Sequence, residues 1–142
     1  MSDFIKENNK DEALKELDQV TLKALTEIGM QAEAYAAALC PVQTGLLRNS
    51  ITSAVGGQAP TKSSYSADRP NAAGNSVSGS YEGKAPAEST PYVALGSNVE
   101  YAASVELGSS TNRSPKAFIG PAILNHKAEY QKILEEELKS AK

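Results

Sequence analysis

Several kinds of residue are scarce in this 142-residue chain. It has no tryptophan, two phenylalanines, one cysteine and one histidine. A lone cysteine, Cys40, excludes an intrachain disulfide framework and fits a reducing compartment. A lone histidine, His126, excludes a histidine-rich metal centre, because zinc normally takes three or four protein ligands. No apolar run nears the roughly 18 residues of a membrane span, and the opening "MSDFIKENNKDE" lacks the apolar core of a secretory signal. The expectation is one soluble domain over 1–142, made inside the cell. A basic excess is missing too. The net charge is −3, which argues against a general nucleic-acid binder. Residues 1–40 carry four lysines against eight acidic residues, 41–121 carry six basic against five acidic, and the remainder balances. The acidity therefore belongs to the start of the chain.

Residues 11–39 have helical spacing. Leu14, Leu17, Val20, Ala24, Leu25, Ile28, Ala32, Tyr35 and Leu39 recur every three or four positions as one apolar stripe. Pro41 ends that helix, since a residue preceding proline is pushed out of the helical region. "SITSAV" (50–55) alternates and reads as a strand. "YVALGSNVEY" (92–101) reads as a strand, a Gly turn and a return, and "YAASVELG" (101–108) as two helical turns with Tyr101 and Val105 inward, stopped by Gly108. "PKAFIGPAI" (115–123) leads into a last helix over 121–139. Pro121 is expected at its first position, with Ile123, Tyr130, Ile133, Leu134 and Leu138 on its apolar face. The fold class expected is α+β: a small antiparallel sheet flanked by a long N-terminal and a C-terminal helix. Residues 56–91 differ in character. Five Gly, four Pro and seven Ser leave few groups to bury, so a long flexible loop is expected.

Chemistry is hard to find. Cys40 and His126 could pair as nucleophile and base, but neither has a local signature, and a buried inert thiol and a surface or interface histidine are the better readings. "GSYEGK" (79–84) lacks the spacing of a phosphate loop. Glu100 and Glu106 need not converge as a carboxylate pair. Glu106 is more naturally an ion-pair partner of Arg48, since both stand beside glycines in turn-like corners. In the loop, Lys62, Arg69 and Lys84 interleave with Tyr65 and Tyr81, a pattern that can stack single-stranded nucleic acid. The sparse charge favours instead a segment that contacts a protein partner. No enzyme, cofactor or metal site is expected.

The densest local signal is "CPVQTGLLRNSI" (40–51). Pro41 stops a helix, Thr44 can turn the chain through its hydroxyl, and Gly45 supplies a backbone angle closed to other residues. Leu46, Leu47 and Ile51 seat the corner on a core, and Arg48 is left to anchor it. This corner, followed by "VEYAASVELGSS" (99–110) and "PKAFIGPAI" (115–123), resembles the small tail-component family of long-tailed bacteriophages, called neck, head–tail joining or tail-completion proteins. Cys40, Lys116, Ala117 and the long 56–91 segment depart from the family pattern. The resemblance implies a structural virion protein, assembled in the host cytoplasm. It would form a hexameric or dodecameric ring between the head connector or stopper and the tail-terminator or tail-tube proteins. DNA would pass through that ring without specific binding, and no membrane would be involved. A tail terminator, which caps the tube and sets its length, is the alternative. A nucleic-acid-binding module acting through the loop is a third reading.

Overall fold

The computed structural model of the protein describes residues 2–110 and 113–140, with side chains from residue 18 onward. It is mixed α+β. Helix α1 runs Ser2–Leu39, longer than the 11–39 expected, because no glycine or proline interrupts residues 2–28. Its buried row is Ala24, Ile28, Ala32, Ala36 and then Cys40. Leu39, expected in the stripe, is 47% exposed. The buried row instead steps by fours, and all of it but Ile28 is small, which lets other elements approach closely. Leu14 and Leu17 lie outside the described side chains.

The chain leaves α1 at Cys40, whose N–H donates to the Ala36 carbonyl at 2.9 Å, and turns through Pro41. A single helical turn, α2 (Leu46–Ser50), follows. The sequence did not suggest it, because five residues are too few to show a period. Strand β1 (Thr52–Val55) then pairs antiparallel with β4 (Val93–Gly96), Thr52 opposite Gly96 and Val55 opposite Val93.

Between these strands the expected flexible loop contains a second antiparallel ribbon, β2 (Ser64–Ser66) with β3 (Ser78–Ser80). This segment is held by polar groups rather than by apolar burial. The Thr61 N–H donates to the Ser53 carbonyl (2.9 Å), the Asp68 N–H to the Thr44 carbonyl (2.8 Å), and Lys62 Nζ to the Asn49 carbonyl (2.9 Å). Gly79 stands opposite Tyr65, and a Cβ there would collide with the tyrosine ring.

Helix α3 (Ala102–Leu107) ends at Gly108, as its sequence indicates. Tyr101, expected inward, is 46% exposed. The C-terminal helix is two helices, α4 (Ile119–Leu124) and α5 (Lys127–Ser140), broken at Asn125 and His126. Pro121 is the third residue of α4, not the first, because a side-chain cap starts the helix earlier. At the break the Tyr130 hydroxyl donates to the Ala122 carbonyl, and the His126 ring stacks on Tyr35 of α1 with centroids 3.5 Å apart and planes 3° apart. His126 is therefore a packing group between helices, half-buried. On α5, Tyr130, Ile133 and Leu134 are half-buried, while Ile123 of α4 and Leu138 remain exposed.

One buried cluster joins these parts: Ala36 and Cys40 from the end of α1, Leu47 and Ile51 from the corner, Phe118 and Ala122 from the start of α4. Phe118 is fully buried, and so, to 1%, is Ile51. A two-phenylalanine chain puts one of them at the centre.

Candidate functional site: the corner groove

The corner is built on Gly45, whose φ of 86° is left-handed. A Cβ at that position would strike the Asp68 carboxylate. Thr44 Oγ1 accepts from the Leu46 N–H at 3.3 Å, which turns the chain into α2. The Thr44 carbonyl takes N–H groups from both Asp68 (2.8 Å) and Arg69 (3.1 Å). Leu47 and Ile51 point into the core, and Leu46 is half-buried.

The expected pairing of Arg48 with Glu106 is corrected, because the structure gives each a different partner. Arg48 Nη2 lies 2.5 Å from Asp68 Oδ2, and Asn49 Nδ2 donates to Asp68 Oδ1 at 3.0 Å. Asp68 thus ties the ribbon segment to the corner. It was missed because a loop aspartate twenty residues downstream has no periodic signal. Glu106 serves as a helix cap. Its Oε1 accepts from the N–H groups of Phe118 (2.8 Å) and Ile119 (2.7 Å), and Oε2 from Gly120 (3.0 Å). These are donors that the first turn of a helix leaves without partners. Burial alone would raise the Glu106 carboxyl, but the three N–H groups outweigh it and hold the pKa below the ordinary value. Glu100 is exposed and plays no part in this cap.

Pro41, Thr44, Leu46, Tyr101, Val105 and Lys116 line a groove of about 300 Å³ beside the corner. The three sequence segments 40–51, 99–110 and 115–123 therefore converge in space. They share the core around Phe118, the groove, the Glu106 cap and a hydrogen bond from the Lys116 N–H to the Val105 carbonyl (2.8 Å). Each segment also leaves large apolar side chains in solvent or beside it: Val42 at the corner, Leu107 (78% exposed) in the second, Ile123 in the third, with Leu124 (61%) just beyond.

Cys40 lies under this site. Burial pushes its thiol up, with Arg48 only partly opposing, and Sγ donates to the Pro41 carbonyl at 3.4 Å. A neutral, buried thiol is a packing group. The two loop tyrosines turn toward the body of the protein. Their rings meet at 5.6 Å, the Tyr65 hydroxyl donates to Asn98 Oδ1, and the Tyr81 hydroxyl donates to the Ser50 carbonyl at 2.6 Å. Arg69 and Lys84 are exposed and are not among the residues that line the groove. The four residues read from sequence as a contact loop thus divide into two anchors and two solvent cations. Asn98, Glu33 and the Tyr35–His126 stack are further joints that the sequence did not reveal. Glu33 Oε1 accepts from the Ser53 N–H (3.1 Å) and the Thr61 hydroxyl (2.6 Å).

Among the described residues no group of three or more His, Cys, Asp or Glu is placed to hold a metal ion, and no helix is long and apolar enough to cross a membrane. Comparison of the chain with protein-family models, with curated proteins and with solved structures finds no match.

Proposed function

We propose that this chain is a structural virion protein of a long-tailed bacteriophage, a neck or tail-completion subunit that forms a ring where head and tail join. The observation that carries the reading is the convergence described above. The three segments that resemble the family meet around one core and one groove, while Val42, Leu107, Ile123 and Leu124 stay uncovered. Apolar groups left outside so small a core are surface for partners. Copies of the chain cover one part of that surface, and the connector or stopper and the tail proteins cover the rest. Work of this kind is assembly, with no reaction, no cofactor and no membrane. The slightly acidic chain lets DNA pass without the phosphate contacts that a basic lining would make.

The tail-terminator role remains the alternative, and one experiment separates the two. Phage lacking the gene are examined by electron microscopy. Full heads beside separate tails of normal length are the expected result. Overlong tails would transfer the chain to the terminator role. Infectious particles with heads attached to tails would end both readings.

A further inference from the structure

Helix α1 is longer than the helix that packs along it. Helix α5 runs antiparallel to it: the Tyr35 hydroxyl donates to Glu129, and Lys23 Nζ lies 3.3 Å from Glu137 Oε2. That phase sets Ser140, where α5 ends, opposite about residue 20 of α1. Among the described residues, the buried side chains of α1 lie between Ala24 and Ala36, and no hydrogen bond or ion pair ties α1 to another element before Lys23. About 18 residues of helix, or about 27 Å, therefore run on past the end of α5.

By helical register, the apolar row continues into this overhang. Leu17 stands two turns before Ala24, Leu14 one turn before Leu17, and Asp11 and Asp18 fall on the Leu14 line at spacings of three and four. Residues 1–18 carry six acidic side chains against three lysines. The corner groove lies at the opposite end of α1. Its lining is apolar at Pro41, Leu46, Tyr101 and Val105, and its charged residue is Lys116. Among the described residues no carboxylate lies within ion-pair distance of that lysine, and Arg113, just before the lining, is exposed. An acidic apolar stripe thus ends one side of the subunit, and a groove with an unpaired cation ends the other. The two cannot meet within one chain. A continuous helix cannot fold back on itself, and Leu17 and Pro41 stand about 35 Å apart along its axis.

We infer that the α1 overhang of one copy lies in the corner groove of the next, with Leu14 and Leu17 against Tyr101 and Val105 and with Asp11 and Asp18 toward Lys116. A helix laid by its apolar stripe into a groove is a recurrent mode of recognition. The charge selects a second copy as the occupant, because the chain itself supplies the acidic helix that suits its own basic groove. The contact joins unlike surfaces, tip to base, so it has a direction. Repeated by rotation it closes into a ring whose two faces differ, as a joint between head and tail requires. The inference rests on the ring reading and names how the subunits of that ring join.

The test uses the full chain and its native mass over a range of concentrations. A tip variant carries Leu14→Gln and Leu17→Gln, which keep helix propensity. A groove variant carries Tyr101→Glu and Lys116→Glu, at two exposed positions. Both should keep the wild-type urea midpoint, and each should weaken self-association about thirtyfold. Mixed in equal amounts, the two variants retain one sound junction per pair, the tip of the groove variant in the groove of the tip variant. The mixture should therefore form dimers and stop there, while the wild type goes on to larger multiples of 14.9 kDa. Variants that assemble as the wild type does would overturn the tip-in-groove contact and leave the ring to another surface. A mixture without dimers, or a wild type that stays monomeric at NMR concentrations, would overturn it too. The ring reading stands or falls separately, on whether phage lacking the gene keep heads joined to tails.

Discussion

At single residues the structure rests on polar groups that tie distant segments to backbone. Glu106 is the clearest case. A carboxyl whose folded pKa is depressed contributes stability that is present above its unfolded pKa and lost as pH falls through the folded value. Denaturant midpoints should therefore fall as pH drops below about 4.5 toward the lowered folded pKa, and Glu106→Gln should remove that part of the acid sensitivity. Glu106→Ala leaves three helix N–H groups to solvent and should cost about 1–2 kcal/mol, read from urea unfolding at pH 7. Gly45→Ala meets two penalties, the left-handed φ and the Asp68 carboxylate. It should lose about 1–3 kcal/mol in the same assay. Gly45 was legible as a constrained turn from "QTGLL" alone. Its neighbour Asp68 was not, because a contact between a corner and a loop twenty residues on is set by tertiary packing. The same reason misdirected Arg48 toward Glu106: two charges beside glycines show where the chain turns, not which turns meet.

Among the elements, period carried the reading where elements are long and failed where they are short. The apolar spacing found α1 and the C-terminal helical region, but it placed Leu39 inside, because Ala36 and Cys40 fill that side with smaller groups. It saw no break at Asn125 and His126, since the stack on Tyr35 that accompanies it is a contact across 91 positions. The 56–91 segment gives the sharpest contrast. Composition measures how much apolar area a segment can bury, and it does not count the polar contacts that this segment makes. The ribbon is fastened by the Tyr81 hydroxyl between Ser50 and Asn98, by Asp68, and by Asn98 Nδ2 on the Ser80 carbonyl (2.8 Å). Tyr81→Phe keeps the ring and removes that bridge. A lost hydrogen bond of about 1 kcal/mol should raise limited proteolysis within 56–91 about fivefold, with α1 remaining intact. Unchanged cleavage would show that the ribbon is held in some other way.

For the whole molecule, the α+β class was legible from the order of the segments, as were the strands near 50–55 and 92–101. The convergence of 40–51, 99–110 and 115–123 on Phe118 could not be read from spacing. It depends on α2 and the Glu106 cap, each too short or too distant to mark the sequence. That convergence gives the assembly reading its physical content: a small core, a groove beside the corner, and large apolar side chains left uncovered. Removing one of them without touching the core should weaken association and spare stability. Leu107→Ser, at 78% exposure, should shift the unfolding midpoint little while reducing incorporation into particles. The most direct measurement is native mass of the purified chain, alone and mixed with the connector and tail-tube rings of the same phage. The account predicts that a full set of six or twelve 14.9 kDa copies joins a ring as one step. A chain that adds no mass to either ring would contradict it.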